Sequence, residues 1–266
     1  MTNPDSAQIR QWAVRQLADY DACRPGTMFG EGAELTVPQA YAVQAAVTQL
    51  RCDRGERVIG YKVGCTSPTI RKQLGIDHSI SGRLFDCEHH ASGVTLSRAK
   101  FANLAIEGEL AIELAREPDD ADFLTNSIPT CVSRVFPVIE LHNHIIRGEK
   151  PTPGELIANN AIHAGFCAGQ GVSRADIGLP TLTGTASLSI FAHDQLLAEC
   201  SGSILIQTIA DSVRWLAEQL RHQSERLEPG QIILAGSVLP LFPIQDDCVV
   251  RVDAGEFGAA AAALAS

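Results

Sequence analysis

The stretch NLAIEGELAIELA, residues 103–115, sets Glu107 and Glu109 two apart inside an otherwise apolar run. Side chains alternate faces along a strand, so both carboxylates would point the same way, flanked on that face by Ala105 and Ala111. A third acid, Glu140, ends the apolar run VFPVIEL. Buried carboxylates without partners cost several kcal/mol or shift their pKa until neutral, so a chain that buries them must compensate them. Converging on one point, Glu107, Glu109 and Glu140 make a site for Mg²⁺ or Mn²⁺, hard cations that take oxygen ligands. The plainer reading places Glu107 and Glu109 on the wet face of a half-exposed strand, and spacing alone leaves both readings open.

Lys62 lies between Gly60 and Gly64 in GYKVGCTSPTIRKQLG, at the end of an expected strand. Glycines permit close backbone approach or positive φ, both frequent at sites. A lysine there could hold a substrate carboxylate or deliver a proton, or could simply be a surface lysine on an edge strand. His142 and His144 follow Glu140 and would share one strand face, which leaves zinc binding with a carboxylate as an alternative. The chain has no HExxH, no GxSxG elbow and no phosphate loop, and AGQGVS at 168–173 does not open a helix in a βαβ unit.

The elements that must position these residues follow from periodicity. Ile9, Trp12, Ala13, Leu17 and Ala18 predict a helix over 5–20, and a second is expected after Thr36 as N-cap with Pro38 in its first turn. A strand at RVIGYKVGCT and a short helix capped by Ser67 follow. Strands are expected at 104–115, 131–141, 183–191, 194–201, 231–236 and 246–253, with helices at 153–163 and 205–225. Strands clustered late with inserted helices predict an α+β fold with a small N-terminal helical part.

Composition limits the partners. The 266 residues are 45% hydrophobic, enough for a sizeable core. A net charge of -10 argues against nucleic acid, which calls for clustered Lys and Arg. The N-terminus lacks the pattern of a signal peptide, and the longest apolar run, AAAAALAS, is too short to span a membrane. Eight cysteines without a CxxC pair read as reduced thiols, and a cytoplasmic location is expected.

Seven segments, in order, carry a resemblance: LTVPQAYAVQ (35–44), GYKVGCTS (60–67), QLGIDHSISGRLFD (73–86), IEGELAIELA (106–115), PVIEL (137–141), IANNAIHAGFCAG (157–169) and LEPGQIILAGSVLPLFPI (227–244). The chain thereby resembles the 2-keto-4-pentenoate hydratase / 4-oxalocrotonate decarboxylase family of the fumarylacetoacetate hydrolase superfamily. The resemblance implies an N-terminal helical portion (1–58), a mixed β-roll catalytic unit (59–266) and a homo-oligomer, with association to a related pathway enzyme as a further expectation. It implies a lyase that adds water to a 2-hydroxydienoate or 2-oxo-enoate in aromatic-ring meta-cleavage catabolism, using Mg²⁺ or Mn²⁺ to stabilise an enolate.

By the same resemblance, Glu107, Glu109 and Glu140 hold the metal. Lys62, Asn160 and His142 are the expected catalytic residues, and Leu84, Gly236 and Ser237 shape the substrate site. Departures from the family pattern concentrate where protons are handled. DHSISG puts Ser79 in place of a proline and Ile80 where the hydratases carry an aspartate; an apolar residue there resembles the decarboxylase branch. After Glu140 the family's I-V-D-S-R becomes Leu141-His142-Asn143-His144-Ile145, so that Asn143 stands where the family has aspartate and cannot act as a base; the D-N pair becomes Asn159-Asn160, and LIQTIAD replaces G-D-P. Decarboxylation, or hydrolysis of an acylpyruvate C–C bond with His142, His144 or His163 as base, are the alternative chemistries.

Overall fold

A computed structural model describes residues 6–24, 26–125, 127–144, 151–178 and 186–266. The chain opens with α1 (Ser6–Asp21), α2 (Thr27–Gly30) and α3 (Val37–Asp53). The Thr36 backbone N–H donates to Gln39 Oε1 at 2.9 Å, and Pro38 occupies the first turn of α3, where its missing N–H costs nothing. Next come β1 (Val58–Gly64), α4 (Pro68–Leu74), β2 (Ile80–Phe85), β3 (His89–Ala91), β4 (Val94–Ser97), β5 (Leu104–Leu114) and β6 (Val132–Asn143). The remainder is α5 (Pro153–Ala158), β7 (His163–Ala168), β8 (Val172–Ser173), β9 (Ser187–Ala192), β10 (Gln195–Ser201), α6 (Ser203–His222), β11 (Ile232–Leu234), β12 (Phe242–Pro243), β13 (Cys248–Asp253) and β14 (Ala259–Ala265).

Two sheets form among the described residues. The larger runs β2-β1-β11-β5-β6-β7-β3, with β12 added to β5 and β8 to β6; the smaller runs β10-β9-β13-β14-β4. Both are mixed, since β1/β11, β3/β7 and β4/β14 pair in parallel while the other pairs are antiparallel. This is the expected α+β architecture: N-terminal helices beside a curled, half-barrel sheet. The helices share a core with β2 and α5 through Met28, Ala40, Val43, Ile80 and Ile157.

β5 and β6 form the spine of the larger sheet. Their register sets Glu107 opposite Glu140, Glu109 opposite Val138 and Ala105 opposite His142. Directly opposed residues of an antiparallel pair share a face, so all of these look the same way. The other face, with Ile106, Leu110, Ile112, Ile139 and Leu141, is buried in one core with Ile190, Val250 and Val252 of the smaller sheet. A Cβ at Gly108 would lie 2.7 Å from Ile190 Cγ1 and 3.0 Å from Val252 Cγ2, so glycine here lets the two sheets close. The face that carries the acids continues into an inner apolar cluster of Leu84, Ala111, Phe136, Val138, Phe166 and Leu234.

The structure differs from the sequence reading at three places. The helix expected over 153–163 ends at Ala158; Asn160, Ala161 and Ile162 take left-handed φ values of 55°, 53° and 57°, and His163 begins β7. The alanine run 259–265 is a strand despite alanine's helix preference, because it pairs with both β13 and β4 and buries Ala260, Ala262 and Leu264. The strand expected at 183–191 begins at Ser187, its first residues lying outside the described ones. All eight cysteines are free thiols, and no helix among the described residues is long and apolar enough to cross a membrane.

Candidate metal centre and its cavity

The wet-face reading of β5 does not hold. Glu109 is 2% exposed and Glu140 0%, and Glu107 keeps 22% of its side chain exposed, toward the cavity that it and Glu109 line. Ligand atoms of Glu107, Glu140 and His142 all lie within 4.8 Å of one another. The imidazole sits between the acids, His142 Nε2 being 3.1 Å from Glu107 Oε2 and 3.6 Å from Glu140 Oε2. This trio differs from the expected trio of glutamates. Glu109 stands beside it, but its Oε2 accepts the Gly236 N–H at 2.9 Å. Gly236 adopts φ 92°, which swings its N–H onto the acid, and a Cβ there would come within 2.5 Å of Thr66 Cγ2.

Lys62 arrives from the far side. Three strand spacings separate β1 from β6, about 14 Å in a flat sheet. Its Nζ nevertheless lies 3.1 Å from Glu140 Oε1, because the sheet curls. The same Oε1 is 2.7 Å from His163 Nδ1, a buried imidazole at the start of β7. From the sequence, His163 stands out only as a candidate base for hydrolysis. It is 23 residues from Glu140, and only the pairing of β6 with β7 brings the two together.

Within this group one ammonium faces three carboxylates. Burial opposes the Lys62 ammonium, but the charges of Glu140, then Glu107 and Glu109, outweigh it and hold its pKa above the ordinary lysine value. Burial would also raise Glu140, yet Lys62, His142 and His163 keep it well below the usual carboxylate range. Glu109 goes the other way. Burial, then the negative charges of Glu140 and Glu107, push it well above that range, and Lys62 and the Gly236 N–H offset only part of this. Glu140 Oε2 is buried and lacks a hydrogen-bond partner among the described residues. A buried, unpaired carboxylate oxygen next to a second carboxylate and an imidazole fits a small divalent cation; the carboxylate oxygens suit Mg²⁺ or Mn²⁺, while the imidazole nitrogen is a donor that zinc accepts more readily than magnesium does.

Lys62, Glu107, Glu109 and His142 line a cavity of about 1200 Å³ that is walled by α4, Ile80, the residues after α5, one side of α6 and the 237–241 loop. Ser237 lines it too, with its hydroxyl donating to Leu239 O at 2.8 Å. Gly236 acts through its backbone, as above. Two expected site residues face elsewhere. Asn160 Oδ1 accepts the Arg83 N–H at 2.7 Å and its Nδ2 donates to Arg83 O at 2.8 Å, so both amide atoms clasp β2. Leu84, 0% exposed, belongs to the inner cluster rather than to the cavity wall. Asn143 caps the turn before β5, its Oδ1 accepting the Ala102 N–H at 2.8 Å.

No family model matches the chain. Among curated proteins it is 28% identical to 2-keto-4-pentenoate hydratase of Burkholderia vietnamiensis over 208 residues, 77% of this chain and 78% of that one. It is 29% identical to 2-hydroxyhexa-2,4-dienoate hydratase of Comamonas testosteroni over 213 residues, 79% of each chain. Among solved structures, the fold matches 4-oxalocrotonate decarboxylase from Pseudomonas putida G7, complexed with magnesium and adipate. The TM-score is 0.87 at 20% identity, covering 99% of this chain and 100% of that one. The fold, the seven ordered motifs and these relatives agree: the chain is similar over about four fifths of its length to 2-keto-4-pentenoate hydratases, and it shares its fold with 4-oxalocrotonate decarboxylase.

Proposed function

We propose that the chain is a divalent-metal-dependent hydratase, a hydro-lyase acting on 2-hydroxydienoates and 2-oxo-enoates of the kind formed in aromatic-ring meta-cleavage. The observation that carries this reading is the cluster of Glu107, Glu140 and His142, of which Glu107 and His142 line the cavity and Glu140 lies buried behind them, with the buried ammonium of Lys62 beside it. Both hydratases named above are named for substrates of this class, which supports the same reading.

Glu107, Glu140 and His142 would hold Mg²⁺ or Mn²⁺, with Glu109 as the adjoining acid. The ion supplies, when bound, Lewis acidity toward the oxygens of a 2-oxo acid. Lys62 keeps its proton and places positive charge where negative charge develops on the bound acid. His163 fixes the Glu140 carboxylate from behind, so the acid cannot rotate away from the cavity. His144 lines the cavity, and burial, then the neighbouring His142, lowers its pKa, so its neutral ring is a candidate to take a proton from water.

One observation favours decarboxylation as a second reading. Ile80, 2% exposed, presents an apolar wall to the cavity where a hydratase acid is expected. Loss of CO₂ needs no base for water. Incubation with 2-hydroxypenta-2,4-dienoate and 2-oxohex-3-enedioate, with Mg²⁺ or EDTA, followed by NMR, separates the two. Metal-dependent formation of a 4-hydroxy-2-oxo acid supports the hydratase, and metal-dependent CO₂ release supports the decarboxylase. Full activity in Glu107→Gln would end the metal reading. Homo-oligomerisation, and association with a related pathway enzyme, belong to the same proposal and are read by light scattering.

A further inference from the structure

One cation in the cavity wall has no use within the protein. Arg71, in the last turn of α4, lines the cavity and is half-buried. Among the described residues its guanidinium has no hydrogen-bond or ion-pair partner. By contrast Arg51, Arg83, Arg116 and Arg134 each hold a carboxylate. Lys62, the other Lys or Arg lining the cavity among the described residues, is committed to Glu140 at 3.1 Å. Asp211 on α6 lines the same space but forms no ion pair with Arg71, and the floor acids are turned toward His142 and the Gly236 N–H. No residue of α4 is buried, so packing does not claim this side chain either.

A partly desolvated guanidinium without a counter-ion is costly unless an anion arrives, and its planar fork matches a carboxylate in bidentate fashion. The cavity walls also offer apolar Ile80, Ile162, Trp215 and Leu239 to a hydrocarbon chain. We propose that Arg71 is a specificity-determining residue that binds a second carboxylate, so that the preferred substrates are unsaturated 2-oxo diacids rather than monoacids. This rests on the reading of the cavity floor as a 2-oxo acid site.

The test is calorimetric titration of the Mg²⁺-loaded protein with 2-oxohexanedioate and 2-oxohexanoate. These share a saturated chain and differ only in the terminal carboxylate, so neither can be hydrated or dehydrated during the titration. Wild type should bind the diacid about tenfold more tightly or better, the value of a charge-assisted carboxylate contact. Arg71→Gln should abolish that advantage and leave the monoacid affinity unchanged, and Arg71→Lys should keep part of it. Lys72→Gln, at an exposed position outside the cavity, should change neither. Equal affinity of wild type for the two acids, or equal loss of both in Arg71→Gln, overturns the role of Arg71 while the floor reading stands. Binding of neither acid although Mg²⁺ binds overturns the floor reading, and the role of Arg71 with it.

Discussion

Glu140→Gln probes the centre of the charge arrangement, because it keeps the shape of the side chain and removes only its charge. Glu140 is 0% exposed and its Oε1 meets both Lys62 Nζ and His163 Nδ1. Breaking a buried pair by neutralising one partner costs roughly 3–5 kcal/mol. A glutamine oxygen can still accept from Lys62, and Glu107 and Glu109 remain nearby. The expected loss in metal-free protein is therefore at the low end, about 3 kcal/mol. Urea unfolding in EDTA reads this directly.

Mg²⁺ gives the second readout. At a concentration a hundredfold above its dissociation constant, an ion that binds only folded protein adds about 2.7 kcal/mol. If the lost ligand weakens binding about a hundredfold, the same concentration adds only about 0.4 kcal/mol to the variant. A variant within about 1 kcal/mol of wild type in EDTA would show that the pair is not desolvated as described. An undiminished gain from Mg²⁺ would show that Glu140 is not a ligand.

Three further outcomes are expected. Asn160→Ala should lose about 2 kcal/mol in urea unfolding, from its two bonds to the Arg83 backbone, while calorimetry finds Mg²⁺ affinity retained; a large loss of Mg²⁺ affinity with unchanged stability would place Asn160 in the site instead. Gly108→Ala should cost on the order of 1–3 kcal/mol in a thermal melt, since the added Cβ meets Ile190 and Val252 across the sheet interface. Asp122 sets an acid limit: burial opposes its charge, but Arg116, the Asp119 N–H and Thr130 hold its pKa at about 2, against an ordinary 3.8. Because the folded value is the lower one, its contribution is complete above about pH 4 and fades as pH falls toward 2. The urea midpoint of wild type should drop across that window, and Asp122→Asn should be less stable at neutral pH and flatter there.

Sequence and tertiary structure contributed different things. The two-residue period of a strand was enough to put Glu107 and Glu109 on one face, and the capping pattern around Thr36 and Pro38 was enough to start α3, because both depend only on neighbouring residues. The α+β class was legible for the same reason. Strand partnership is not local. That Glu140 faces Glu107, that His142 and His163 close on the same carboxylate, and that Lys62 crosses three strand spacings to reach it depend on register and on the curl of the sheet. Leu84 and Asn160 show the converse. Their motif is present in the chain, but packing sends one into the inner cluster and hydrogen bonding fastens the other to β2. Arg71 carried no spacing signal at all, since a lysine or arginine in a short helix is ordinary, and only the cavity beside it and the absence of a counter-ion among the described residues distinguish it. Local periodicity decides which face a side chain takes; burial and long-range pairing decide what it meets there.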